Sequence, residues 1–338
     1  MISIIIPTFN RADSLAIAIK SFVAQKFPSD KFEILVVDND STDNTKQIVE
    51  MAIANQTEHH IHYIYEPEPG LLSGRHRGAI DAKGNILIFV DDDIQADVNW
   101  LKAIESSFID TSVQIVGGRN LPNYEVEPPE WLEWFWQSHP YGQICGQLSL
   151  LDFGEQVREI DPNYVWGLNF SIRKKALFEL RGFHPDSIPK HLQHFQGDGE
   201  SGLTLKAKKL GYKAIYQPRA LVFHQVPKER MTYEYFEQRC FFQGVCDSYT
   251  DIRGMNGKLK SISLKDKIKA ALKPLKPKFL TKSQNLSEKE ALQQRFYAAL
   301  LKGYQFHQNA VRKNPELLNW ILKSDYWDYK LPKLRISL

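Results

Sequence analysis

Asn85-Ile86-Leu87-Ile88-Phe89-Val90-Asp91-Asp92-Asp93 is the stretch that decides how this chain is read. Ile86 to Val90 has the length and apolar, β-branched character of a buried strand. It ends abruptly in three carboxylates. Adjacent carboxylates repel one another, and burying one without a partner costs on the order of several kcal/mol. A cation removes that cost. A strand ending in Asp-x-Asp therefore points to a divalent metal, and often to a metal that holds phosphates.

Strand and helix patterns alternate through the first ~115 residues around this run. Residues 2–7 read as a strand, and residues 13–25 as a helix with Leu15, Ile19 and Phe22 in step. Residues 33–37 read as a second strand, followed by Asp43 and Thr45 at the start of a helix that carries Ile48, Val49 and Ala52. Residues 62–65 predict a third strand, 73–82 a helix and 85–90 the fourth strand. This order predicts a doubly wound, Rossmann-like α/β fold with a mostly parallel sheet and helices on both faces. Ligands of such sheets bind beyond the carboxyl ends of the strands. Pro7-Thr8, Asp38-Asn39 and Asp91-Asp92-Asp93 all lie at those ends, so they are expected to converge on one crevice.

The middle of the chain, 116–228, is less regular, with a predicted helix over 200–210 that stops near Gly211. Residues 229–250 read as an aromatic helix with Tyr233, Phe236 and Cys240 in step, and 287–309 as another helix. A Lys- and Pro-containing stretch at 255–285 separates them. The expected organisation is a nucleotide-binding half at 1–115, an acceptor-binding half at 116–228 and a mainly helical, basic extension at 229–338.

The 338 residues suit one large domain or two smaller ones, and 43% hydrophobic with 25% charged residues is ordinary for a globular protein. No apolar run approaches the roughly 18 residues of a membrane span. The first residues are apolar but lack the basic start of a signal peptide. Cys145, Cys240 and Cys246 have no metal-ligand spacing and fit free thiols in a reducing compartment, so a cytoplasmic location is expected. The net charge of +3 hides an asymmetry: residues 251–338 hold 19 Lys and Arg against 7 Asp and Glu. An acidic body with a basic end suggests that the end meets something anionic. An anionic membrane surface at the inner face of the cell membrane is the expected partner, and nucleic acid is not.

The chain has no Walker A loop, no Gly-x-Gly-x-x-Gly after the first strand and no Gly-x-Ser-x-Gly elbow. Instead Pro7-Thr8-Phe9-Asn10-Arg11, Val36-Val37-Asp38-Asn39-Asp40-Ser41-Thr42-Asp43, Gly70 through Gly84 with Arg75, and Phe89-Val90-Asp91-Asp92-Asp93 follow in order. In this order and strand context the sequence resembles the family 2 glycosyltransferases, strongly over residues 1–93 and more weakly to about residue 228. That resemblance implies the GT-A fold and inverting transfer of a sugar from a nucleotide diphosphate, with a UDP-linked donor expected, to a glycan or lipid-linked acceptor in polysaccharide biosynthesis.

The resemblance also implies roles. Asp93 would hold a metal that clamps the diphosphate and stabilises its developing charge, and His224, closing Ala220-Leu221-Val222-Phe223-His224, would complete the site. A carboxylate with an imidazole points to Mn2+, with Mg2+ as the alternative. Asp91 or Asp92 would accept from the ribose hydroxyls, and Asp38 from the imide N–H of a uracil. Asn39 would join it in the nucleotide site. Arg75 would lie near the diphosphate or the base. Pro7 and Thr8 would pack on the base, with Asn10 and Arg11 beside them. The family's Glu-Asp helix start is replaced here by Gly197-Asp198-Gly199-Glu200. Counting back from Gly211 makes Glu200 the general base, and counting forward from Gly197 makes it Asp198. Trp131, Trp134, Trp166 and Asn169 are the acceptor-side candidates. The competing classes are a nucleotidyltransferase of related fold and a non-catalytic nucleotide- or glycan-binding protein.

Overall fold

The computed structural model of the protein describes residues 1–259 and 287–334. Strands β1 (Ile2–Thr8), β2 (Phe32–Asp38), β3 (His60–Tyr65) and β4 (Ile86–Val90) alternate with helices α1 (Ala12–Val23), α2 (Thr45–Asn55) and α3 (Leu71–Asp81). The apolar runs of β1 and β2 are buried along their whole length, as in parallel strands covered on both faces. Side chains alternate between two cores: Ile5, Leu35, Val37, Leu87 and Phe89 point to one, and Ile4, Ile6, Ile34, Val36 and Ile88 to the other.

The register fixes the site. Thr8 lies beside Asp38, and Asp38 beside Tyr65, so the parallel strands end in one row. Beyond β4 come β5 (Ile94–Ala96), α4 (Trp100–Ser107) and the long β6 (Val113–Tyr124). Short strands β7 (Gln137–His139), β8 (Gly142–Cys145), β9 (Leu150–Asp152) and β10 (Arg158–Ile160) lead to β11 (Asn169–Arg173), α5 (Lys174–Glu179), α6 (Glu200–Lys209) and β12 (Lys213–Val226). The sheet runs β3-β2-β1-β4-β11-β6-β9-β8-β7. β11 is antiparallel to both β4 and β6, whereas β12 runs parallel to β6 and antiparallel to β5. The β5–β12 pairing sets His224 opposite Ile94, and the Gln225 N–H donates to the Asp93 carbonyl at 2.9 Å. A residue late in the chain is thereby fixed against the three aspartates.

The helical region comprises α7 (Tyr233–Gly254), α8 (Glu288–Lys313) and α9 (Pro315–Ile321). Contacts advance in the same direction along α7 and α8, from Glu234–Arg295 to Ser248–Gln308, so the two helices run parallel. They touch through glycine: a Cβ on Gly303 would lie 1.9 Å from the Phe241 carbonyl oxygen, and one on Gly244 1.9 Å from that of Leu300. After α9 the chain returns to the sheet domain. Trp327 stacks on His76 of α3 and on Phe178 of α5, with centroids 4.2 and 4.3 Å apart, and the Tyr329 hydroxyl donates to Glu66 at 2.7 Å. Most of the Lys- and Pro-containing stretch expected over 255–285 lies outside the described residues. Among the described residues, no helix is long and apolar enough to cross a membrane.

Candidate active site

The three aspartates have three different surroundings. Asp92 is 5% exposed; it accepts from Thr8 Oγ1 at 2.7 Å and from Arg11 Nη1 at 3.0 Å. Burial pushes its carboxyl up to about 6 against the pull of Arg11. Asp93 Oδ2 accepts from Arg11 Nη1 at 2.8 Å and from Arg230 Nη2 at 2.6 Å. Burial disfavours its charge, yet the Arg230 and Arg11 guanidiniums oppose that and hold it well below the usual carboxylate range. Asp91 points the other way, into a cleft, 3.9 Å from Arg75. Its enclosure and the charge of Asp93 raise its pKa.

His224 Nδ1 lies 2.9 Å from the Leu148 carbonyl oxygen, which can only accept, so Nδ1 carries the proton and Nε2 presents a lone pair. That lone pair faces Asp93 Oδ1 at 3.3 Å. Asp93 Oδ1 is buried and accepts no hydrogen bond among the described residues. Two electron-rich atoms face each other here, and this arrangement calls for a cation between them. Arg230 lies beside the pair, with Nη1 donating to His224 Nε2 at 2.8 Å and Nη2 to the other oxygen of Asp93. A divalent ion bound to N and O ligands at about 2.0–2.2 Å also spans such a gap. A second-shell carbonyl that fixes the imidazole tautomer is the usual support for a metal-binding histidine. Asp93 and His224 therefore fit a divalent metal once the guanidinium gives way. Among the described residues, no group of three or more His, Cys, Asp or Glu gathers so as to hold a metal ion.

On the nucleotide side, Asp38 is 2% exposed and accepts from the Tyr63 hydroxyl at 2.7 Å and the Ser41 N–H at 2.9 Å. Asn39 ties down the following loop: its amide donates to the Glu66 and Glu68 carbonyls at 3.0 and 2.5 Å and accepts from the Gly70 N–H at 2.8 Å. Asn10 accepts from the Thr42 N–H at 2.7 Å, joining the end of β1 to the start of the β2–α2 turn. Pro7 packs on α3, where a Cβ on Gly74 would come within 2.9 Å of it.

Glu200 and Asp198 are separated by Gly199, at φ +55°, and face different ways. Glu200 stands at the N-terminus of α6; its Oε1 accepts from the Gly167 N–H at 3.2 Å and its Oε2 lies 3.3 Å from Arg75 Nη1. Arg75 is 3% exposed and lies over the Phe183 ring at 5.1 Å. Gly167 is required for this contact, since a Cβ there would sit 2.1 Å from Arg75 Nη2. Asp198 is buried, and both its oxygens are taken, by His184 Nδ1 at 2.6 Å and Thr250 Oγ1 at 2.8 Å. Glu200, Asp91 and Arg75 open onto a cavity of about 930 Å³. Asp186 also lines it, with its pKa raised by burial and by the neighbouring Glu200. Asp186 and Arg230 both escape sequence reasoning: Asp186 lies in a loop and Arg230 ends the single 3-10 turn Lys228–Arg230, with no motif to mark either.

The acceptor-side candidates are dispersed. Asn169 is 2% exposed, with its amide spent on Trp100 Nε1, Asn120 and the Ala220 carbonyl at 3.0, 3.1 and 2.8 Å. Trp131 packs on Phe135, Tyr233 and Phe236, and Trp134 borders the same aromatic cluster. Trp166 donates its indole N–H to the Asn163 carbonyl at 3.2 Å beside the cavity wall. The three cysteines are free thiols.

A family model, Glycosyl transferase family 2, matches residues 3–177, from β1 through the three aspartates to α5. The chain belongs to glycosyl transferase family 2. Two similar proteins come from Haloferax volcanii. Glycosyltransferase AglE is 33% identical over 117 residues, 35% of this chain and 38% of the relative. Glucosyl-dolichyl phosphate glucuronosyltransferase is 22% identical over 256 residues, 74% of this chain and 77% of the relative. The match thus spans well under half of AglE but most of the second relative. Among solved structures, the mannosyltransferase PcManGT from Pyrobaculum calidifontis, in complex with GDP-Man and Mn2+, aligns with a TM-score of 0.54 at 18% identity, covering 92% of this chain and 74% of that one. GalNAc-T7 with UDP, GalNAc and Mn2+ aligns with a TM-score of 0.53 at 16% identity, over 80% and 54%. These likenesses carry the fold: the family 2 domain here has the GT-A arrangement, with a helical region after it.

Proposed function

We propose that the protein is an inverting glycosyltransferase that moves a sugar from a nucleotide diphosphate, UDP-linked in the first instance, to a hydroxyl of a glycan or lipid-linked acceptor in polysaccharide biosynthesis. The observation that carries this reading is the placement of Glu200. The Gly167 N–H and Arg75 hold it at the floor of a large cleft, and Asp91 links that cleft to the buried Asp92–Asp93 pair.

In this reading Glu200 takes the proton of the acceptor hydroxyl as its oxygen attacks the anomeric carbon. The bond from that carbon to the diphosphate oxygen breaks, and the diphosphate leaves with the electron pair. A carboxylate already ordered by two donors has little reorganisation left to do. Arg75, paired with Glu200 and near Asp91, would face the charge that develops on the leaving phosphates. Bound at Asp93 and His224, a divalent cation, Mn2+ or Mg2+, would supply further charge neutralisation. Asp38 would orient the base and Asp91 or Asp92 the ribose.

The test is release of nucleotide diphosphate across UDP- and GDP-sugars, with and without EDTA, for the wild type and Glu200→Gln. Release that persists in Glu200→Gln, or no release from any donor, removes the reading. The membrane half rests on the excess of Lys and Arg over 251–338 and on the tryptophans. Flotation with anionic liposomes tests it, and binding that ignores salt would count against it.

A further inference from the structure

Residues 324–334, which follow α9, return to the loop between β3 and α3, and the proposed chemistry makes no use of them. That loop reads Glu66-Pro67-Glu68-Pro69-Gly70. Its prolines leave it three N–H groups, and each has an acceptor. The Glu66 N–H donates to the Asp38 carbonyl at 2.9 Å, the Glu68 N–H to Glu66 Oε1 at 2.9 Å and the Gly70 N–H to Asn39 Oδ1 at 2.8 Å. The Asn39 amide donates back to the Glu66 and Glu68 carbonyls. The loop and the Asp38–Asn39 pair are thus one hydrogen-bonded unit.

Residues 324–334 grip this unit at two points. The Tyr329 hydroxyl donates to Glu66 Oε2 at 2.7 Å, and the Leu331 N–H to Glu68 Oε1 at 2.9 Å. Residues two apart in one segment meet residues two apart in the other, across 263 positions of chain. Glu66 is 4% exposed, and a carboxylate so enclosed depends on its donors. Arg77 Nη1 stands off from it at 3.9 Å. The same segment also holds α3. The Tyr326 carbonyl accepts from His76 Nδ1 at 2.9 Å, and the Trp327 ring stacks on that imidazole. His76 Nε2 accepts in turn from the Phe183 N–H at 2.9 Å, which fixes the tautomer. His76 directly follows Arg75, so one segment touches both flanks of the proposed nucleotide site.

We propose that residues 324–334 brace the donor site, and that Tyr329 is a positioning residue acting on Asp38 and Asn39 through Glu66. The inference rests on the glycosyltransferase reading and adds to it a part of the chain beyond the family match at residues 3–177. A loop ordered before the nucleotide arrives leaves less ordering to be done on binding, so the brace is felt as donor affinity.

Tyr329→Phe in the full chain tests it, because the change removes one hydroxyl and keeps the ring. UDP and GDP, titrated calorimetrically in the presence of Mn2+, are the probes. The variant should bind whichever nucleotide the wild type prefers about fivefold more weakly, the scale of one net hydrogen bond. Donor KM should rise by a similar factor with kcat within about twofold, a split that general loosening of the fold does not give. Hydrogen exchange at the Glu66, Glu68 and Gly70 amides should quicken, while exchange in β1 and β4 stays as in the wild type. Unchanged exchange at those three amides overturns the brace. Quicker exchange with unchanged nucleotide affinity overturns its role in the donor site. If the wild type binds neither nucleotide while the three amides still quicken in the variant, the brace on the loop is upheld and the transferase reading is removed.

Discussion

Arg230 holds Asp93 in the place where a metal would hold it. Its Nη2 lies 2.6 Å from Asp93 Oδ2, while its Nη1 reaches His224 Nε2 at 2.8 Å, so one guanidinium bridges both ligands. A divalent ion bound at Asp93 and His224 would compete with Arg230 for the same two side chains. Arg230→Gln is expected to bind Mn2+ several-fold more tightly than the wild type in the absence of nucleotide, read by the loss of free-Mn2+ EPR signal. Equal affinities would mean that the guanidinium is no obstacle.

Glu200 and Asp198 should separate by phenotype. Glu200→Gln is expected to lower turnover by about 10²–10⁴-fold, the range for a general base, with melting temperature and nucleotide affinity near wild type. Asp198→Ala leaves buried His184 and Thr250 without their acceptor and should cost on the order of 3 kcal/mol of stability. Thermal unfolding and steady-state rates on both variants check this; a stable, inactive Asp198 variant reverses the assignment.

The contact between α7 and α8 should tolerate no methyl group. At Gly303 an added Cβ meets backbone at 1.9 Å, and a carbonyl cannot rotate aside as a side-chain end can. Gly303→Ala is expected to destabilise by about 2 kcal/mol, the scale of overpacking. A melting temperature within a degree or so of wild type, on the scale where 1 kcal/mol shifts a large domain by about 2–4 °C, contradicts the close packing.

Acid should weaken the fold through two buried histidines. Burial pushes both His76 and His307 down to about 3, so the native state keeps them neutral while the unfolded chain protonates them below about pH 6.5. Their contribution is complete above that pH and drains away as pH falls from 6.5 toward 3. The melting temperature should be flat above pH 7 and decline below 6. The double variant His76→Gln/His307→Gln should decline less steeply over the same window, and an identical slope would exclude these groups as the cause.

Much of the fold was legible before any coordinates. The apolar runs of β1, β2 and β4 and the amphipathic α1 are set by local periodicity, which a single sequence displays. The expected helix at 13–25 lies at Ala12–Val23, and that at 200–210 at Glu200–Lys209. The convergence of Thr8 and Asp92 follows from parallel pairing, and it appears as a 2.7 Å hydrogen bond. The aromatic candidates were less informative. Trp131 and Asn169 have the chemistry of sugar contacts, but a tryptophan and a buried amide serve cores equally well, and only packing tells the two apart.

Sequence alone determined the nature of this protein: an α/β domain whose strand ends carry Thr8, Asp38 and the three aspartates, in an order shared with family 2. Local patterns suffice because strand, turn and carboxylate are written consecutively. The tertiary structure decided which carboxylate faces the cleft, that Arg230 bridges Asp93 and His224, and that α7 walls the cavity. Each of these depends on residues tens to hundreds of positions apart being brought within hydrogen-bond reach. Pairing of that kind is set by how β5, β12 and α7 pack, and no spacing in the chain encodes it.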